Sequence, residues 1–188
     1  MMNTTRTIAI LDANVLFPAP LRDYLLNLAD LDLYKPKWTD EIQEEWIKSL
    51  LLKRKDISRK SLESAKSAMN IAFPDSNILK YKSKIRSLTL PDPKDRHVLA
   101  AAIKSGSDLI ITFNTKDFPT SYIKSFGVKV LHPDEFILKI IDENNSASYQ
   151  ALKNQVMRLR NPPLSIEEVL NAIKKCGLPK SVARLKKM

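Results

Sequence analysis

The sequence predicts an α/β fold, a parallel sheet flanked by helices, followed by a small all-helical extension. Three observations carry this. Short β-rich apolar runs alternate with helical periodicities through the first 140 residues, and parallel neighbours need crossovers of that kind. From Ser146 onward the spacing is helical without strands. At 188 residues, 44% hydrophobic and 28% charged, the chain is long enough for one well-cored domain with a remainder.

Taken in order, residues 7–11 form an apolar strand that ends at Asp12, and residues 18–29 place Leu21, Leu25 and Leu28 at helical spacing. Residues 33–37 suit a second short strand. Thr39 or Asp40 then caps a helix to about Leu52, which the basic run Lys53, Arg54, Lys55 and Asp56 interrupts. Residues 58–73 read as another helix. Asp92 opens a helix with Pro93 in its first turn, running to Lys104; residues 108–113 are an apolar strand. Residues 128–131 make the last strand and 133–141 the last helix of the alternation. The polar stretch 142–146 closes it, which places one unit at residues 1–142 and a helical extension at 146–188. Within the extension, residues 149–159 are amphipathic, and Asn161, Pro162 and Pro163 stop that helix. Ser165 with Glu168 forms a capping box for the next helix, Gly177 ends it, and a short helix follows Pro179.

The charge is +10 and uneven: from Ser146 to the end, nine Lys or Arg stand against Glu167 and Glu168, leaving +3 for the rest. A polyanion is the first partner such a surplus suggests, and an acidic protein the second. The composition excludes collagen-like, linker-like and disordered classes. A single Cys176 forms neither an internal disulfide nor a zinc cluster, which points to a reducing, cytoplasmic location. The apolar run near the N-terminus is broken by Asp12 and Asn14, too short for a membrane span or a signal peptide.

Four places put polar groups where an α/β sheet ordinarily holds a ligand. Asp12 ends the first strand, facing the crevice at the strand carboxyl ends; its plain alternative is a cap or turn. At about 100° per residue, Ile42, Trp46 and Leu50 share an apolar stripe with Glu45 just outside it, whereas Glu44 faces water and Glu41 is a weaker alternative. Asp92 and Asp95 flank Pro93 and lead directly into the apolar stretch 98–103. A carboxylate there is costly unless neutralised, although Asp92 as N-cap and Asp95 at the third position could be met by helix N–H groups. Asn114 and Asp117 follow the strand at 109–113, with an Asx-turn as the alternative. One arrangement accounts for all four: carboxylates and an amide converging on a divalent cation. Oxygen ligands without a Cys or His cluster favour Mg²⁺ or Mn²⁺, which suits phosphodiester hydrolysis.

These residues carry a resemblance. Leu11-Asp12-Ala13-Asn14-Val15-Leu16, the helix bearing Glu45, the stretch from Asp92 to Ala102, and the stretch from Ile111 to Phe118 resemble in order and spacing the motifs of PIN-domain nucleases, the fold of VapC-type toxins. The phrases at 17–23, 72–75, 132–136 and 161–164 resemble the subgroup with a C-terminal helical extension, so the likeness covers nearly the whole chain. It implies a PIN-like parallel sheet and a Mg²⁺- or Mn²⁺-dependent endoribonuclease acting on RNA. It also implies the toxin role of a type II toxin–antitoxin pair, a cognate antitoxin partner and pairing into a homodimer. By resemblance Asp12, Glu45 and Asp95 match the first three family acids, with Asp92 an extra acid upstream. The fourth site, often Asp in the family, holds Asn114, with Asp117 three residues later, and either can serve it.

Thr112 can support the site by orienting a carboxylate or a water. Lys53, Arg54, Lys55 and Arg96 are candidate RNA contacts, as are Arg59, Lys60 and the run Lys80, Lys82, Lys84 and Arg86; for each, a solvated face is the alternative. On the helical wheel His97 lies about 200° from Asp95 and is expected to point away from it as a structural residue, while His132 reads as strand-end packing. The competing function is a non-catalytic basic RNA-binding or protein-interaction module. A phosphatase or receiver domain would want a second carboxylate two residues after Asp12, where Asn14 stands.

Overall fold

The computed structural model describes residues 6–188, so the first five residues of the unit placed at 1–142 lie outside it. Strands β1 (Ile8–Leu11), β2 (Lys35–Lys37), β3 (Leu109–Ile111) and β4 (Lys129–Leu131) form a four-stranded parallel sheet in the order β2-β1-β3-β4. Ile10 of β1 pairs with Lys37 on one side and Ile110 on the other. Pro36 lies on the edge strand β2, where its missing N–H costs the ladder nothing on the outer side. Because β2 and β3 flank β1 on opposite sides, the strand order reverses between β1 and β3, and a crevice opens at their carboxyl ends.

Helices α1 (Ala13–Leu16), α2 (Ala19–Asp30), α3 (Asp40–Lys53), α4 (Arg59–Ala72), α5 (Arg96–Ser105), α6 (Thr120–Lys124) and α7 (Pro133–Glu143) connect and flank these strands. Of the two caps offered for α3, Thr39 serves: its Oγ1 accepts from Ile42 N at 3.1 Å, while Ser58, read as the first residue of its helix, caps α4 by accepting from Ser61 N at 3.2 Å. α5 packs against β1 and β3 through Val98, Leu99 and Ala100 to Ala102, all buried, and ends on Gly106 in the left-handed conformation at φ +63°. Its beginning differs from the expectation. Pro93–Asp95 is a tight 3-10 turn and the α-helix starts only at Arg96, so Asp95 stands before the helix instead of inside its first turn.

Beyond α7 come α8 (Asn145–Arg158), α9 (Ile166–Lys175) and α10 (Pro179–Leu185). The polar residues 142–146 form an exposed corner, with Asn144 alone separating α7 from α8. α8 packs on α2 and α10 on α7. Leu152, Ile173, Leu178 and Val182 join the same apolar cluster as Ile10 and Ile110 of the sheet. Three of the extension's nine Lys and Arg residues are paired: Arg158 with Asp30 at 2.8 Å, Arg184 with Asp142 at 2.9 Å and Lys186 with Glu167 at 2.5 Å. Among the described residues no helix is long and apolar enough to cross a membrane.

Asp134, buried in the first turn of α7, fastens α10. Its carboxylate accepts from Lys180 N at 3.0 Å, Ser181 N at 2.8 Å and Ser181 Oγ at 2.6 Å. Removing it would strand buried donors at the start of α10, so Asp134→Ala is expected to cost about 2–3 kcal/mol, lowering the melting temperature by roughly 5–10 °C. Calorimetry checks this; a shift below about 2 °C would mean the extension is held by its apolar contacts alone.

Candidate active site

The site is built at the carboxyl ends of β1 and β3. Asp12 N donates to Ile111 O at 3.1 Å, so the backbone pairing of the two strands continues to the acid itself. The buried Asp12 carboxylate accepts from Ala13 N at 2.7 Å through Oδ1, and from Thr112 Oγ1 at 2.7 Å and Asn14 Nδ2 at 2.8 Å through Oδ2. Asn14 Oδ1 in turn accepts from Phe113 N at 3.1 Å, and Asn114 N donates to Thr112 Oγ1 at 3.0 Å. Oδ2 thus has both lone pairs engaged, while Oδ1 keeps one for another partner. Burial pushes the Asp12 carboxyl above its usual range, against the pull of Thr112 and Ala13, and the charge of Glu45 adds to the rise.

Glu45 lies half-exposed on α3, beside the buried Trp46. Arg22 fixes that stretch of α3 by stacking its guanidinium 4.6 Å over the Trp46 ring while donating to Leu16 O at 2.8 Å. Glu44 points away and pairs with Arg59 and Lys48, as its place on the wheel requires. His97 corrects the expectation that it would face away from the acids. It is buried, and its Nε2 lies 3.1 Å from Glu45 Oε1. The wheel of one helix places His97 relative to Asp95 only; the acid it meets, Glu45, arrives from α3. Burial alone would lower the His97 pKa; its bond to Glu45 and the charges of Glu45, Glu41 and Asp12 raise it overall.

The two acids flanking Pro93 part ways. Asp92 Oδ1 accepts from Lys94 N at 2.9 Å, a capping role, and it does not line the cleft. Asp95 lines the cleft, and among the described residues its carboxylate caps no N–H. Burial first, then the charges of Asp12, Asp92 and Asp117, push Asp95 up to about 6, with His97 opposing. Asn114 also lines the cleft, without a side-chain cap bond, while Asp117 sits in the 3-10 turn Thr115–Asp117 and reaches Asp95 through its charge.

Asp12, Glu45, Asp95 and Asn114 thus border one open cleft of about 960 Å³. Its rim carries Lys48, Lys53 and Lys175 with the aromatic residues Phe17 and Phe113, and the Lys53 ammonium lies 4.8 Å over the Phe17 ring. Of the expected basic contacts, Lys53 reaches the cleft. Arg54 is paired with Asp56, Lys55 is directed at Leu51 O, and Arg96 donates to Pro93 O. His132 caps α7 through Nδ1 and meets Phe113 edge-on. Sequence reasoning missed Asn14, His97, Lys48, Lys175 and the two phenylalanines. Asn14 carried a signal, since an amide two residues past a strand-end Asp can brace that acid.

Among the described residues no three His, Cys, Asp or Glu side chains stand close enough to hold one ion, so the acids share a cleft and not yet a point. The donor set nonetheless fits a hard divalent cation: Asp12 with a lone pair in reserve, Asp95 without a cap bond and raised by its neighbours, and Glu45 on the facing helix.

Residues 8–116 match the family model for the PIN domain, and residues 133–187 match that for the VapC50 C-terminal domain. The first covers more than half of the chain, which belongs to the PIN-domain family, here carrying the C-terminal domain of the VapC50 type. The chain is 38% identical over 80 residues to the Mycobacterium tuberculosis protein named "Putative ribonuclease VapC50", a stretch covering 43% of this chain and 47% of that relative. The match therefore spans about half the length of the curated relative. No solved structure gives a significant match.

The crowding of negative charge has a consequence for stability. The Asp95 carboxyl is raised to about 6 from 3.8, so its ionised form opposes folding at neutral pH and that penalty disappears as pH falls through 6 toward 4. Discounted for its half-exposure, Asp95→Asn is expected to raise the metal-free melting temperature by about 2–4 °C at pH 7 and by nearly nothing at pH 4. A lower melting temperature at both pH values would show that Asp95 is a structural cap.

Proposed function

We propose that the chain is a metal-dependent endoribonuclease that hydrolyses RNA phosphodiester bonds with Mg²⁺ or Mn²⁺. In this reading it is the toxin of a type II toxin–antitoxin pair, held in check by a cognate antitoxin protein. The observation that carries the reading is Asp95: a half-buried carboxylate without a cap bond, raised by its burial and then by the charges of Asp12, Asp92 and Asp117, in a cleft rimmed by lysines. Such a group opposes folding when ionised, and raised carboxylates of this kind cluster at functional sites.

Asp12, Asp95 and Glu45 would hold the ion. When bound, it would polarise a phosphoryl oxygen and lower the pKa of the attacking water. The protein's own groups prepare that step. Thr112 and Asn14 fix the Asp12 carboxylate, His97 holds Glu45 in place, and the Asn114 amide can orient the water or a ligand. Asp92 contributes charge from outside the cleft, and Asp117 is the alternative occupant of the fourth position. Lys48 and Lys53 give the substrate's phosphates a basic rim. In this division, residues 1–142 carry the chemistry and residues 146–188 shape the substrate side. The VapC50 relative named a ribonuclease, and the PIN domain, support the assignment.

Asp12→Asn and Asp95→Asn are each expected to cut cleavage of single-stranded RNA by more than about 100-fold, beyond the 10–100-fold usual for residues that only brace a ligand, and Thr112→Val should fall in that lower range. Chelator should abolish cleavage, and Mn²⁺ restore it. Asn114→Ala should be worse than Asn114→Asp; the fourth position passes to Asp117 if Asp117→Ala is inactive and Asn114→Ala is not. RNA binding without metal-dependent cleavage in the unsubstituted chain would favour the non-catalytic module, in which Asp12 and Asp92 serve as the caps their hydrogen bonds make them.

A further inference from the structure

One side of the cleft comes from the extension. Lys175 and Cys176, at the end of α9, line it together with Phe17, Lys53, Phe113 and Asn114. Gly177 allows this approach. It takes the left-handed conformation at φ +92°, and a Cβ there would lie 3.3 Å from Phe113 Cε1. Any other side chain would be strained by the backbone and crowded by the ring. Phe113 is itself held from the other side, edge-on to His132 with centroids 5.0 Å apart. The α9–α10 turn is therefore seated on the residue between Thr112, which braces Asp12, and Asn114.

This seating puts a cation and an aromatic side chain from different parts of the chain next to the acid cluster. Arg158, Arg184 and Lys186 of the extension are spent on Asp30, Asp142 and Glu167, and Lys153 lies over the Tyr149 ring. Among the described residues Lys175, like Arg160, Lys174, Lys180 and Lys187, has no carboxylate partner, and of these it is the one that lines the cleft with Asp12, Glu45 and Asp95. An unpaired ammonium and an aromatic ring lining one cleft are the chemistry of single-strand recognition, in which the cation meets a phosphate and the ring stacks with an unpaired base. Duplex bases are already stacked and would gain nothing from Phe113.

Resting on the ribonuclease reading above, we infer that the α9–α10 turn forms a single-stranded RNA subsite, in which Lys175 contacts a phosphate beside the acid cluster and Phe113 stacks with the adjoining base. Selection of the RNA then lies partly in the extension, and the acids do the cutting.

The test uses the full chain carrying Asp12→Asn to suppress cleavage, and a fluorescein-labelled single-stranded RNA oligonucleotide read by anisotropy across a salt series. Adding Lys175→Ala should weaken binding about fivefold and lower the salt slope by about 0.7, one phosphate's share. Lys174→Ala removes the same charge one residue away, outside the cleft lining, and should change affinity less than about twofold. Phe113→Leu keeps apolar bulk against Gly177 while removing the ring, and should weaken binding about tenfold at an unchanged melting temperature. Equal losses from Lys174→Ala and Lys175→Ala, or none from Lys175→Ala while RNA still binds, would overturn the subsite and leave the ribonuclease reading standing. If the Asp12→Asn chain binds no RNA and the unsubstituted chain cleaves none, that reading fails and the subsite falls with it.

Discussion

The contact on which the rest depends is the hydrogen bond from Thr112 Oγ1 to Asp12 Oδ2, joining the carboxyl ends of the two central strands. A buried carboxylate is costly to ionise, and its neighbours decide whether it is worth keeping. Here Thr112, Asn14 and the Ala13 N–H lower that cost in part, while burial and Glu45 keep the net effect unfavourable to the charge. The parallel pairing of β1 with β3 is what makes the contact possible, because it delivers Asp12 and Thr112 to the same end of the sheet in the same register. A slip of β1 by one residue against β3 would turn Asp12 to the other face, away from Thr112.

Around this contact each element supplies one part of a cleft. α3 brings Glu45, held in direction by His97 from α5; the 3-10 turn before α5 leaves Asp95 outside the helix that would otherwise have capped it. The extension is fastened by Asp134 on one side and by Gly177 against Phe113 on the other. Among the described residues Lys53 and Lys175 pair with none of the cleft acids, and Lys48 pairs instead with Glu44, which does not line the cleft. Charge separation of this kind suits a substrate that is itself a polyanion with a cation at its reacting phosphate.

The strand–helix alternation, the cap at Thr39 and the capping box at Ser165 were legible in the sequence because each depends on local spacing. Asp12, Glu45, Asp95 and Asn114 were legible as a group, and they do border one cleft. What escaped were details set by long-range approach. His97 was misplaced because its partner is Glu45, an acid brought from α3 by long-range packing, which a wheel drawn for α5 alone does not show. Lys175 was read only as part of a basic tail, and its arrival at the cleft depends on Gly177 meeting Phe113, residues 64 positions apart in the chain. Asn14 was noticed for the acid it is not; its bracing of Asp12 needs the strand-end geometry to be seen.

The central claim is that Asp95 is an uncompensated carboxylate awaiting a cation. Its titration by carbon-13 NMR of the side-chain carboxyl, with and without Mg²⁺, tests that most directly. The account predicts an apparent pKa near 6 in metal-free protein and a fall of at least about one unit when Mg²⁺ is present, because a bound cation favours the ionised form. A pKa in the ordinary aspartate range that Mg²⁺ leaves unchanged would contradict it.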